Sequence, residues 1–216
     1  MFDYMLDLIR LFFQTFHEKK GRKIIHEILK NKSGAVIDAG AYVGDHSVDI
    51  ANTHKNVHVY AIEPNKIFSN YLHRKNLHNL TSLNLLLSDR SGRGCGIKNE
   101  GLSNATYEKC ENGNLEMKSL DNLVSDGIIS DNIIFIHFDT EGHDLYCLKG
   151  SEIIIRTSRP LVMVETHNDK ELLSIVEYMQ RFSYDYFTID ENCGFFSNCR
   201  NHVFYPRGAD PRQRST

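Results

Sequence analysis

Five acidic residues stand where apolar runs end: Asp38, Glu63, Asp89, Asp139 and Glu165. One carboxylate in such a place is ordinary. Carboxylates at successive run ends suit a site that holds hydroxyls, an amine, a metal or a positive centre. Behind the first comes Gly40-Ala41-Tyr42-Val43-Gly44. Its glycines allow backbone to approach a ligand closely or to take positive φ. His137 and His167 lie two positions from Asp139 and Glu165, and residues two apart in a strand point the same way. Paired imidazole and carboxylate groups can take a proton from a hydroxyl or ligate a divalent ion.

For these side chains to meet, the runs that carry them must be neighbouring strands. Apolar runs at 35–38, 57–62, 81–87, 133–138 and 160–164 have that character. Helical spacing separates them at 45–53, 66–77, 120–124, 143–156 and 170–182. The alternation predicts an α/β, Rossmann-like, doubly wound and mostly parallel seven-stranded sheet. A C-terminal antiparallel hairpin, 184–189 with 202–205, is expected at one edge. In such a sheet ligands lie at the carboxyl ends of the strands, near the switch in strand order. The polar stretch 92–113 is expected to be a long loop or loose hairpin and a candidate substrate wall. Residues 1–30 form an N-terminal helical segment in which Asp3, Asp7 and Arg10 interrupt apolar residues. That spacing suggests an amphipathic helix that packs on the core, covers the ligand site or joins two subunits. The tail 206–216 is expected to be mobile, and the whole of 1–216 to form one domain.

Composition narrows the class. The chain has 216 residues, 41% hydrophobic and 25% charged, which describes an ordinary globular protein. A net charge of -3 and the lack of a long basic run give no support for a nucleic-acid partner. No stretch approaches the length needed to span a bilayer. The first residues lack a positive leader, so a membrane or secretory role is not expected. Five cysteines without a Cys-x-x-Cys pair suggest free thiols in a reducing, cytoplasmic setting. Asn79-Leu80-Thr81 and Asn104-Ala105-Thr106 match glycosylation acceptors and are taken as chance.

The glycine turn is not Gly-x-Gly-x-x-Gly, and Tyr42 obstructs the tight turn a pyrophosphate needs. S-adenosylmethionine carries no phosphate and suits the residues better. Asp38 faces its amine or sulfonium, and the amides of the turn through Gly40, Tyr42 and Gly44 face its carboxylate. Glu63 accepts from the ribose hydroxyls and Asp89 from the adenine amino group. Taken alone, Glu63 is equally well a capping or solvated carboxylate. As a set the six residues point to the methyl donor.

Several blocks then resemble the FkbM family of methyltransferases: 36–44, Ala61-Ile62-Glu63-Pro64-Asn65, 138–145, Leu148-Lys149-Gly150 and Val164-Glu165-Thr166-His167. They run in order from about 33 to 167, and Asp139-x-Glu141-Gly142 followed by Leu-Lys-Gly is the most specific. Tyr42 stands where the family often has Asn or Gly. The resemblance implies the class I methyltransferase fold and transfer of a methyl group from S-adenosylmethionine to a hydroxyl, usually of a sugar or natural product.

Two mechanisms fit. Asp139 or His167 removes the hydroxyl proton directly, with Glu165 beside them. Alternatively Asp139, Glu165 and His167 hold Mg2+ or Mn2+, an arrangement similar to the metal-dependent catechol-type methyltransferases. The polar strand end 165–167 is otherwise explained as a cap on the following helix. Rivals to a sugar or glycan acceptor are a small natural product or phenol. From other classes come a nicotinamide-dependent dehydrogenase and an inactive binding module.

Overall fold

The alternation of strands and helices produces the expected sheet. In the computed structural model, residues 2–16, 18–97, 106–110, 113–191 and 200–214 are described. Helices α1 (Phe2–Phe16) and α2 (Lys19–Leu29) lead into β1 (Gly34–Ala39), α3 (Asp45–Thr53), β2 (Val57–Ile62), α4 (Lys66–His73) and β3 (Leu80–Leu83). Next come β4 (Leu86–Leu87), β5 (Gly92–Ile97), β6 (Thr106–Lys109), β7 (Leu115–Lys118) and α5 (Leu120–Ser125). The chain then continues through β8 (Ile133–Phe138), α6 (Asp144–Lys149), α7 (Glu152–Thr157) and β9 (Leu161–Thr166). Last are α8 (Asp169–Gln180), β10 (Tyr184–Thr188), β11 (Arg200–Pro206) and a 3₁₀ turn at Pro211–Arg214.

The main sheet has seven strands in the order β10-β11-β9-β8-β1-β2-β3. All run parallel except β11, which pairs antiparallel with both β9 and β10. Helices bury both faces, as a parallel sheet requires. On one face Ile37, Ile136, Phe138 and Val164 pack against Leu123, Leu148, Ile155 and Met179. On the other, Val36, Val59, Phe135 and Met163 pack against Ile25, Leu29 and Ile50. No helix among the described residues is long and apolar enough to cross a membrane.

Several expectations meet their outcome here. The third apolar run, 81–87, is not one strand: β3 joins the main sheet, and β4 belongs to a second sheet of order β4-β7-β5-β6. Asn84 makes the break, its side-chain amide donating to the carbonyls of Glu63 and Pro64, each at 2.9 Å. The stretch expected as a loop or loose hairpin thus supplies strands β5 and β6, paired antiparallel.

The helix expected over 143–156 is two, α6 and α7. At Gly150 a Cβ would run into the Ser88 carbonyl, and Asp121 takes the α7 amides of Ile153 and Ile154 at 2.9 and 3.1 Å. The C-terminal antiparallel hairpin stands at one edge of the sheet as expected, with β11 between β9 and β10. Within 206–216, a 3₁₀ turn at Pro211–Arg214 sets the Arg212 guanidinium over the Phe187 ring at 4.3 Å.

A further correction concerns the cysteines. Cys95 and Cys110 are disulfide-bonded, with Cα atoms 5.7 Å apart, the usual span of such a bridge. Their expected state was free. With that bond in place, cysteine usage no longer argues for a reducing compartment. Cys147 is free and buried, and Cys193 and Cys199 lie outside the described residues. Asn79 is no glycan acceptor in this fold: it is buried and its amide donates to the carbonyls of Ala51, His54 and Val57. Asn104 lies outside the described residues.

Candidate active site

The strand order reverses between β1 and β8, since the chain passes from β1 outward to β2 and β3, and from β8 outward to β9. A crevice is expected above that junction. Asp38 and His137 are register partners there, followed by Ala39 and Phe138. Gly40 is required at this point by packing: its φ is +84° and a Cβ would collide with the Asp139 carbonyl. Gly44, at φ +73°, would meet Leu72 and Val48 in the same way. Both glycines therefore take positive φ where a side chain would collide, the reading the sequence offered beside ligand approach.

This yields a paired expectation. Gly40→Ala should cost more than about 3 kcal/mol of stability, because clash and strain add. Gly127→Ala, at φ +70° with nothing within 4 Å of its Cβ position, should cost only about 1 kcal/mol. Chemical denaturation of the two variants checks the contrast.

Asp38 is buried and turned inward. It accepts from Ser47 Oγ and from His137 Nδ1, the latter at 2.9 Å. These bonds tie β1 to α3 and β8, and they hold the carboxyl below its ordinary range although burial works the other way. Glu63 is also buried, at the end of β2. Its Oε2 accepts from the Tyr42 amide at 2.8 Å and its Oε1 from the Asn65 amide at 2.7 Å. Burial nevertheless pushes this carboxyl up to about 7. Tyr42, at φ 44°, turns its ring outward between Phe13 of α1 and Phe68 of α4, with centroids 6.1 and 4.5 Å away. The tyrosine thus leaves the turn clear and fastens α1 over it.

Asp139 follows β8, its amide bonded to the Ala39 carbonyl at 3.0 Å. Desolvation, and then the charges of Glu18, Glu141 and Asp144, raise its carboxyl well above the usual carboxylate range. The turn after it is held by buried Asp144, which accepts from the Thr140 amide and hydroxyl and from the Gly142 amide at 3.1, 2.8 and 3.2 Å. Glu141 and Gly142 take φ values of 53° and 87° in that turn. Glu141 therefore does not start the helix, which begins at Asp144. Its Oε2 stands 3.3 Å from His167 Nε2.

The site residues collect in two groups. One is Asp38 with His137; the other is Glu141, His167 and Glu165, with His167 Nδ1 4.0 Å from Glu165. His137, expected to join Asp139 and His167 at one spot, is bonded to Asp38 instead. The cap on α8 is made by Asn168 and Glu171 rather than by Glu165 or His167. Asp89 is not at the end of a main-sheet strand. It follows β4 in the second sheet and pairs with Arg90, which lowers its carboxyl. It still borders the site through His143, whose Nε2 meets Ser88 Oγ at 3.0 Å.

The proposed metal triad is not assembled. Among the described residues, no group of three or more His, Cys, Asp or Glu side chains stands as a metal site, so Asp139, Glu165 and His167 do not converge as ligands. What the residue pattern missed is the polar floor. Glu18, at the junction of α1 and α2, is buried and accepts from His46 Nε2 at 3.1 Å and Asn201 Nδ2 at 3.0 Å. Burial opposes charge on His46, but Asp45 and Glu18 overcome it and raise the imidazole to about 9. His46 was legible as a polar residue in the first turn of α3; nothing local marks Glu18 or Asn201.

The order of this sheet, the antiparallel β11 inside its edge and the acidic strand ends at the switch point define a class I methyltransferase fold. The Methyltransferase FkbM domain family matches residues 38–195. The chain belongs to that family.

Among solved structures, the methyltransferase FkbM from Methylobacillus flagellatus KT is similar with a TM-score of 0.59 and 20% identity, over 80% of this chain and 44% of that one. The chain thus spans less than half the length of that relative. The precorrin-6y C5,15-methyltransferase from Geobacter metallireducens GS-15 has a TM-score of 0.53 and 13% identity, over 87% of this chain and 88% of its own. An rRNA methylase from Streptococcus thermophilus has a TM-score of 0.52 and 14% identity, over 87% and 94%. At such identities these likenesses concern fold. No curated protein matches the chain.

Proposed function

We propose that the chain is an S-adenosylmethionine-dependent O-methyltransferase whose acceptor is a hydroxyl of a sugar or glycan. The observation that carries this reading is Asp139, a carboxyl beside the switch point whose proton affinity is raised by burial and by Glu18, Glu141 and Asp144. An alcohol becomes a good nucleophile as its proton leaves, and a base is most effective when its pKa approaches the working pH.

The residues fit the donor. A carboxylate has about four acceptor positions, so Glu63 can keep its two amide bonds and still accept from two ribose hydroxyls. Bound S-adenosylmethionine supplies an electrophilic methyl group on a sulfonium. The protein's part is chiefly alignment. Glu63 and the turn 40–44 seat the donor, and Asp139 takes the acceptor proton as the new carbon–oxygen bond forms and the carbon–sulfur bond breaks. The Glu141–His167 pair flanks the acceptor side. The sugar reading is supported by Tyr146, exposed on α6 and stacked on His143 with centroids 4.8 Å apart, a flat face of the kind a sugar ring covers.

Thermal-shift measurements test the donor first: S-adenosylhomocysteine should raise the melting temperature and NAD should not. Mass spectrometry of sugar acceptors incubated with enzyme and S-adenosylmethionine should then show the gain of one methyl group. Stabilisation by NAD alone would remove the donor assignment. Methylation of phenols with no sugar modified would remove the acceptor.

A further inference from the structure

Helix α1 packs on the core through Leu6, Ile9 and Phe13, and the charged side chains beside them bond to neighbouring elements. Asp3 accepts from Arg74 Nε and Nη2 at 2.8 and 2.7 Å, and Asp7 accepts from Lys75 and from Tyr71 Oη, the latter at 2.7 Å. Arg10 donates to Gln14 Oε1 at 3.0 Å, and Gln14 Nε2 to the Asp45 carbonyl at 3.0 Å. The charges that ordinarily face water are therefore spent on the protein. The side left to solvent carries Phe2, Tyr4, Met5, Leu8, Leu11 and Phe12, each between 48% and 68% exposed. The other exposed large apolar residues among those described are scattered over α4, α7, α6, α8, β10 and the turn after α5.

We propose that a second copy of this chain covers this face, α1 packing antiparallel against its counterpart with the two-fold axis beside Leu8. The residue pattern is self-complementary about that point. A two-fold rotation brings Leu8 onto its own copy, Met5 onto Leu11 and Tyr4 onto Phe12, which is what an isologous interface demands. No charged side chain lies among these positions, so no like charges meet across the axis. Six side chains, each about half exposed, present on the order of 600 Å² of apolar surface per copy, or about 1,200 Å² for the pair. That is the lower bound of a specific interface, and each copy's share lies at the top of the range of about 300–600 Å² for the largest apolar patch on a typical monomer. A lipid surface is the other occupant for such a face. Helices that lie on lipid carry Lys and Arg along their polar flank. Here the flank holds two acids and one arginine, and the neighbouring bases Arg74 and Lys75 are occupied by Asp3 and Asp7.

Sedimentation velocity on the full chain between about 1 and 100 μM should show a dimer, and Leu8→Glu should sediment as a monomer that still unfolds cooperatively, at a melting temperature that no longer depends on protein concentration. Leu8→Cys, mildly oxidised, should form a covalent dimer. Thr15→Cys, on the same side of the helix but far from the axis, should not, and neither should the unsubstituted chain. A monomer throughout the range, or a dimer indifferent to Leu8→Glu, overturns the proposal. So does a monomer that pellets with phosphatidylserine-containing vesicles and loses that binding with Leu8→Glu; that result assigns the face to lipid.

Discussion

Asp139→Asn should lower turnover by about 10²- to 10⁴-fold, the range over which a positioned base contributes. Donor affinity should change by less than about threefold. The substitution keeps the shape of the side chain and leaves the backbone bond from residue 139 to the Ala39 carbonyl in place. It removes the proton acceptor that Glu18, Glu141 and Asp144 prepare. Because the free carboxyl is raised, activity of the native enzyme should climb with pH until Asp139 ionises, and the residual activity of Asp139→Asn should lack that limb. Single-turnover rates, with S-adenosylhomocysteine affinity measured separately, distinguish loss of chemistry from loss of binding. Undiminished turnover in the variant would take Asp139 out of the reaction.

Glu63→Ala should weaken S-adenosylhomocysteine binding by about 100-fold or more, since two hydrogen bonds to a charged acceptor are lost, each worth about 1.5–3 kcal/mol. The raised carboxyl adds a pH signature. Its folded value is about 7 against an ordinary 4.5, so the free protein holds a proton there at pH values where the unfolded chain has lost it. Ribose hydroxyls donate, so they favour the ionised form. Donor affinity should therefore be flat above pH 7 and fall by about tenfold per unit below it. Stability of the free protein carries the opposite slope: it declines as pH rises from about 4.5 through about 7, by up to ~3 kcal/mol, and levels off above. Both slopes should vanish in Glu63→Ala. Isothermal titration and denaturation across pH 5–8 measure them, and an unaltered affinity in the variant would place the ribose elsewhere.

Both predictions begin from acidic residues visible at the ends of apolar runs, yet the residues that set their proton affinities are of two kinds. Glu141 and Asp144 are close neighbours of Asp139 in the chain. Glu18 reaches it from the N-terminal helices, through a helix junction with no pattern of its own. Asp89 shows the opposite case. Its position after an apolar run looked equivalent to the others, but Asn84 had already turned the chain out of the main sheet. A two-residue strand such as β4 leaves too short an alternation to distinguish from the end of β3.

Local rules sufficed wherever one element decides the outcome. Residues 36–39 are apolar or bridge to other elements and must be a buried strand; Ser119, Asn65 and Asn168 start helices because their side chains accept the first free amides. From those elements the doubly wound sheet and the acidic strand ends other than Asp89 followed by sequence alone, as did the amphipathic character of α1. Sequence could not say which way α1 faces, that the Tyr42 ring would pack between Phe13 and Phe68, that Asp38 would be spent on Ser47 and His137, or that Cys95 and Cys110 would meet. Each of those depends on partners distant along the chain. Hydrophobic periodicity specifies which side of an element is distinct, whereas the pairing of charges and rings across elements is settled only when the elements pack.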